Sequence, residues 1–213
     1  MKISASILDC DFLHLENEIK RLENAKVDYI HIDPMDGHFV PNISFGISMI
    51  RDIKKATSLP LDVHLMFQYP SDFIDRIAEF MDYDNNSFIT IHSECNSIVA
   101  EALAKIKNYG IKAGIALNPT TPIEKLNSVI NDVDLILQMT VWPGYGKQKL
   151  ITEALNKTKQ IAKIKNANTI IEVDGGINEE NISLLKDVDM AVVGSALWKS
   201  NNLNKTVKLL KGE

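Results

Sequence analysis

Short, nearly apolar runs alternate along this chain with longer stretches whose apolar residues recur every three or four positions. The runs are Ile3–Ser6, Tyr29–Asp33, Leu61–Met66, Phe88–His92, Lys112–Leu117, Leu135–Met139, Thr169–Val173 and Met190–Val193. Several are rich in Ile and Val, as strands buried on both faces require. The intervening stretches read as amphipathic helices. Phe12–Ala25 carries Leu13, Leu15, Ile19 and Leu22, and Ile98–Tyr109 carries Val99, Leu103 and Ile106. Further helices are predicted over Ile47–Ala56, Pro70–Phe80, Pro122–Ile130, Leu150–Ile164, Glu179–Leu185 and Leu203–Leu210. Pro70, followed by Ser71 and Asp72, suits a first helical turn.

Eight strand–helix units with short connections imply parallel strands and an α/β architecture, most economically a closed (β/α)8 barrel, the TIM barrel. An open doubly wound sheet is the alternative, but no Gly-x-Gly-x-x-Gly turn follows the first strand. No Pro/Gly/Ser-rich linker or charge block divides residues 1–213, so one domain is expected. A length of 213 residues falls within the range of a complete barrel.

Composition narrows the function classes. With 45% hydrophobic and 24% charged residues the chain reads as a globular domain. A formal net charge of -5 gives no general attraction to nucleic acid or an anionic membrane, so neither is expected as a partner. An anionic substrate would need a local site. Neither a signal-peptide pattern nor a membrane-length apolar run is found, and Cys10 and Cys95 have no metal-type spacing, so a cytoplasmic protein with reduced thiols is expected.

In this fold the chemistry collects at the C-terminal ends of the strands. Strand two ends in His31-Ile32-Asp33, strand three in Asp62-Val63-His64 and strand seven in Glu172-Val173-Asp174. Strand alternation puts His31 and Asp33 on one face. If that face points into the barrel, His64 and Asp174 converge on it. Any one of these residues alone is commonly a structural hydrogen-bonding or turn residue. Together, two imidazoles and two carboxylates suit Zn²⁺, Fe²⁺, Mn²⁺ or Co²⁺.

The loops after strands six to eight carry Thr140–Gln148 (TVWPGYGKQ), Asp174-Gly175-Gly176 and Gly194-Ser195. Glycine can merely permit a turn, but three such loops at adjacent positions favour a phosphate pocket, to which Lys147 adds charge. Met35, Met66 and Met139 lie at or just beyond strand ends and are candidates for a polarizable wall beside a reacting carbon.

These motifs resemble the ribulose-phosphate 3-epimerase family. The matching segments are Ser4–Leu8 (SASIL), His31–Asn42 (HIDPMDGHFVPN), Leu61–Met66 (LDVHLM), Ala116–Pro119 (ALNP), Met139–Gln148 (MTVWPGYGKQ), Glu172–Asn178 (EVDGGIN) and Gly194–Leu197 (GSAL), in family order. The resemblance implies one divalent cation held by His31, Asp33, His64 and Asp174, with Asp33 and Asp174 also serving as acid and base. It implies substrate contacts from Ser6 and His64, and a phosphate held by Gly144, Tyr145, Gly146, Lys147, Gly175, Gly176, Gly194 and Ser195. The implied reaction is 3-epimerisation of D-ribulose 5-phosphate to D-xylulose 5-phosphate through a metal-stabilised cis-enediolate, without a redox cofactor. Association into a homo-oligomer is a further expectation from the resemblance.

The chain also departs from the family pattern. Pro34 stands where a β-branched residue is usual and Ala5 where proline is usual. Trp142 replaces a small polar residue and Lys147 a glycine, both in the phosphate loop. These changes leave D-allulose 6-phosphate as an alternative substrate, and a non-catalytic sugar-phosphate-binding barrel as an alternative of another class.

Overall fold

A computed structural model of the chain describes residues 1–81 and 86–213. Eight parallel strands close into a barrel in chain order. They are β1 (Lys2–Ser6), β2 (Tyr29–Ile32), β3 (Leu61–Leu65), β4 (Phe88–His92), β5 (Lys112–Leu117), β6 (Leu135–Met139), β7 (Ile170–Asp174) and β8 (Met190–Val193). Closure comes from β1 pairing with β8, with Ala5 opposite Val193. No described helix is long and apolar enough to cross a membrane.

The near-continuous apolarity of the strands follows from their double burial. Ile30, Ile32, Leu61, Val63, Leu65, Ile89 and Ile91 point outward into the main core beneath the helices. Their neighbours in sequence point inward. The floor of the barrel is packed by Tyr29, Phe88, Leu135, Leu137 and Met190. Above it the inward positions turn polar, with Ser4, His31, Asp62, His64, Thr90, His92 and Glu172 all fully buried. Such groups are costly to bury unless they bond to one another, and a polar network runs through Ser4, Asp62 and His31 and through His64 and His92.

Gly114 on β5 leaves space for that network. A Cβ there would lie 2.2 Å from Thr90 Oγ1 on β4, two residues before His92. A side chain at 114 would therefore push on the strand that carries His92.

Five helices agree with the amphipathic stretches: α1 (Leu15–Asn24), α2 (Ile47–Ala56), α3 (Ser71–Ala78), α4 (Val99–Asn108) and α5 (Thr152–Ile164). Two more follow β8: α6 (Ser195–Lys199), which the sequence pattern did not predict, and α7 (Leu203–Lys211), a sixth helix that agrees with its predicted stretch, Leu203–Leu210. The helix predicted from Phe12 begins as a 3-10 turn over Phe12–His14, where the Asp11 carboxylate accepts from Leu13 N–H. The helix predicted over Pro122–Ile130 is reduced to a 3-10 turn, Ile123–Leu126, because its preceding backbone is held elsewhere. Lys157 Nζ donates to the carbonyls of Pro119 and Thr121 at 2.6 Å each. The helix predicted over Glu179–Leu185 likewise shrinks to Ile182–Leu184. There Asn178 Oδ1 accepts from the N–H groups of Glu180 and Asn181, and Asn181 Oδ1 accepts from Asn178 N–H. Side-chain bonds of this kind hold turns in place of helix.

Candidate functional site

Strand alternation brings the four sequence-predicted donors together at the C-terminal mouth. His31 Nε2 lies 3.1 Å from Asp33 Oδ1, and His64 Nδ1 lies 3.3 Å from the same oxygen. Asp174 Oδ2 stands 4.0 Å from His31 Nε2 and 3.7 Å from His64 Nδ1. One donor atom from each of the four residues therefore faces a common point. Four N/O ligands at about 2.0–2.2 Å from an ion, arranged tetrahedrally, stand about 3.3–3.6 Å from one another. The observed separations bracket that range, so the donor set fits a divalent cation of the zinc, iron, manganese or cobalt type.

The surroundings fix each donor. His31 Nδ1 bonds Asp62 Oδ2 at 2.6 Å, and Asp62 Oδ2 also accepts from Ser4 Oγ at 2.8 Å. This leaves His31 Nε2 to face the site, the carboxylate–histidine pairing familiar behind metal ligands. Asp33 Oδ2 accepts from Ser6 Oγ at 2.9 Å, and Ser6 is in turn braced by Trp198, whose indole N–H donates to the Ser6 carbonyl at 2.8 Å. His64 Nε2 contacts His92 Nε2 at 2.8 Å, and His92 Nδ1 lies 3.3 Å from Glu94 Oε2.

The two candidate acid/base carboxyls differ in affinity for a proton. Burial works to raise Asp33, but the charge and hydrogen bonds of His31, with those of His64 added, outweigh it and hold Asp33 well below the usual range. Burial, and then the charge of Asp33, pushes Asp174 up to about 7. A bound cation would favour the ionised form of both. Glu172 is a different case: burial and the neighbouring charge of Asp62 push it well above the usual carboxylate range. His31, Asp62 and Glu172 form a second buried cluster of donor atoms, which shares His31 with the first. Burial pushes His92 down to about 4. Glu94 is held down to about 2, since bonds from His92, Thr121 and Asn118 outweigh its own burial.

A cavity opens directly above these groups. Its wall contains Ser6, Asp33, Met35, Met66, Met139, Gly144, Tyr145, Gly146, Lys147, Asp174, Gly175, Gly176, Gly194 and Ser195. Every predicted substrate-contact residue except His64 lines it; His64 lies wholly beneath. The methionines are nearly fully buried, and Met35 bridges Met66 beyond the β2–β3 ladder, so an apolar side meets the carboxyls.

The glycine loops are shaped by close backbone approach. Gly175 has φ +123°, and a Cβ there would lie 2.4 Å from Val141 Cγ2. Gly176 has φ +71°, and a Cβ there would lie 2.4 Å from the Leu150 backbone nitrogen. Lys147 has φ +59°, a left-handed conformation that glycine adopts without strain, and its ammonium lies 3.5 Å from Asp9 Oδ1. The loop is also tied across the mouth to the long segment after β2. Asn42 Nδ2 donates to the Gly144 carbonyl at 2.8 Å, and Tyr145 Oη to the Pro41 carbonyl at 3.0 Å.

The sequence pattern did not assign roles to Asp62, Glu172, His92 or Glu94. One signal was available: His92-Ser93-Glu94 repeats at the end of β4 the His-x-acid spacing of His31-Ile32-Asp33. Asp62 and Glu172 stand two residues before His64 and Asp174, on the same inward face.

A profile of the Ribulose-phosphate 3 epimerase family matches residues 2–198. The chain is 38% identical to the ribulose-phosphate 3-epimerase of Bacillus subtilis (strain 168), covering 100% of this chain and 99% of that protein. It is 41% identical to the ribulose-phosphate 3-epimerase of Methanocaldococcus jannaschii, covering 99% and 90%. Among solved structures, a mutant tryptophan synthase alpha-subunit from Pyrococcus furiosus superposes with a TM-score of 0.70 at 18% identity, covering 99% of this chain and 97% of that one. At that identity the likeness is one of fold.

Proposed function

This chain belongs to the ribulose-phosphate 3-epimerase family, and from that premise we propose that it interconverts D-ribulose 5-phosphate and D-xylulose 5-phosphate. The observation that carries the reading is the convergence of His31, Asp33, His64 and Asp174 beneath a cavity walled by three glycine loops.

Inverting a carbon beside a ketone requires removing its proton from one face and returning a proton to the other. Asp33 follows β2 and Asp174 ends β7, on either side of the β8–β1 pair. A ketose lying over the ends of β8 and β1 would thus have a carboxyl toward each face. In each direction one carboxylate must be free to accept a proton while the other holds one to give. Ser6, bonded to Asp33 and braced by Trp198, keeps that carboxylate aimed into the cavity. His31, Asp33, His64 and Asp174 would hold one divalent cation, whose chemistry is to polarise the ketone and offset charge developing on the enediolate oxygens.

The phosphate would lie against the backbone of Gly144–Lys147, Gly175–Gly176 and Gly194–Ser195. Residues at the start of α6 offer backbone N–H groups that have no partner within the helix. Lys147 would add a mobile positive charge, exchanging Asp9 for the phosphate. Met35, Met66 and Met139 keep water from the reacting carbon and so strengthen the electrostatics of the carboxyls.

The test is a comparison of kcat/KM for D-ribulose 5-phosphate and D-allulose 6-phosphate. We expect the pentulose to be preferred by at least about tenfold, the discrimination that 1.4 kcal/mol of transition-state binding gives. Equal or reversed preference would contradict the substrate assignment. It would point instead to the indole of Trp142, which lines the cavity, as a wall reshaped for the longer sugar.

A further inference from the structure

The histidines that approach the proposed cation use different ring nitrogens. His31 presents Nε2 and His64 presents Nδ1. A ring nitrogen can accept a cation only when it carries no proton, so each histidine must keep its proton on the other nitrogen. For His31 the device is direct, because Asp62 Oδ2 lies 2.6 Å from Nδ1 and can only accept a hydrogen bond there. For His64 the outward nitrogen faces no carboxylate. It faces Nε2 of another histidine, His92, at 2.8 Å, and both rings are fully buried.

Two ring nitrogens at that distance share one proton, and either ring could own it. If it belongs to His92, the proton of neutral His64 is forced onto Nδ1, the nitrogen that should face the cation. The choice is made one residue further out. His92 Nδ1 lies 3.3 Å from Glu94 Oε2. Glu94 is anchored through its other oxygen, which accepts from the Asn118 backbone N–H at 2.9 Å and from the Thr121 hydroxyl. A carboxylate held there can only accept, so the His92 proton goes to Nδ1, its Nε2 becomes an acceptor, and the His64 proton goes to Nε2. Phe39 packs on the His92 ring with centroids 4.6 Å apart, so the relay is shielded as well as anchored.

We propose that Glu94, acting through His92, sets the tautomer of His64 and thereby opens Nδ1 to the cation, making both of them positioning residues of the metal site. The inference rests on the metal-site reading given above.

The geometry makes an unusual ordering of variants. In Glu94→Gln the fixed Asn118 N–H draws the amide oxygen, so the amide NH₂ is turned toward His92 Nδ1. That demands an acceptor at Nδ1 and drives the relay into the wrong polarity. Glu94→Ala leaves the choice open. Co²⁺ affinity, measured by chelator competition and followed by the visible bands of the bound ion, should therefore fall in the order wild type, Ala, Gln. The Gln variant should be weakened about 10–100-fold, the usual effect of losing a partner behind a metal ligand. Thermal stability should follow the other order, with Ala below Gln. Affinity that follows stability, or a Gln variant equal to wild type in affinity and bands, would overturn the relay. A wild-type protein that takes up no Co²⁺ would overturn the metal reading and the relay together. Ring-nitrogen NMR of the Zn²⁺-loaded wild type gives a second check that needs no variant. Protons on His64 Nε2 and His92 Nδ1 are expected, and a proton on His92 Nε2 would contradict the proposal.

Discussion

Asp33→Asn and Asp174→Asn should each lower kcat for C3 epimerisation by about 10²–10⁴-fold, the usual contribution of a positioned acid or base. Asparagine keeps the size and one oxygen but can neither take nor return the C3 proton. The two losses should also fail to add. Epimerisation needs both faces served within one turnover, so removing either carboxylate removes most of what the pair supplies. The double variant should therefore be little worse than the worse single one. The variants differ in what else they disturb. Asp33 is almost fully buried, bonded to Ser6 and within reach of both histidines, so its replacement loosens the whole constellation. Asp174 is more open to the cavity, so its replacement should leave stability nearer wild type. Steady-state kinetics beside thermal unfolding separates the effects. Undiminished turnover in both variants would remove the assigned roles.

Chelation should be nearly as damaging. A cation at the four proposed donors would supply several kcal/mol of charge stabilisation, so stripping it should cost on the order of a thousandfold in kcat. Zn²⁺, Co²⁺, Mn²⁺ or Fe²⁺ should restore activity. Mg²⁺ should do so poorly, because two of the four donors are imidazole nitrogens and that ion prefers an all-oxygen shell. Kinetics after dialysis against a strong chelator and stepwise reloading measures this directly. Full activity in protein shown to be metal-free would contradict it.

The barrel was readable because its strands are buried on both faces, which leaves eight apolar runs with no competing period. The four-residue cluster was readable because strand-end placement picks out the mouth and period-2 alternation puts His31 and Asp33 on one face. The network behind them was harder to see. Asp62 and Glu172 sit inside runs that look apolar, and their significance depends on which strands neighbour them across the barrel. The register that sets Asp62 opposite His31 is a property of the closed sheet, not of either segment. His92 and Glu94 were masked in a similar way, since His64 and His92 meet only when β3 and β4 pair. Local competition accounts for the two helices that shrank to 3-10 turns. Asn178 and Asn181 bind their own backbone, and Lys157 gathers the carbonyls before Pro122, neither of which a helical period reveals. Lys147 is the reverse case, a residue whose type hides its conformation. Its φ of +59° marks a position that glycine would fill without strain.

The central claim is that this chain exchanges the C3 proton of a ketose phosphate between two carboxylates. It is tested most directly by running the cation-loaded protein on D-ribulose 5-phosphate in D₂O and following C3 by NMR. The account predicts D-xylulose 5-phosphate carrying solvent deuterium at C3, at a rate that Asp33→Asn and Asp174→Asn each reduce together with turnover. Product that retains the original C3 hydrogen, or no product from fully loaded protein, would contradict it.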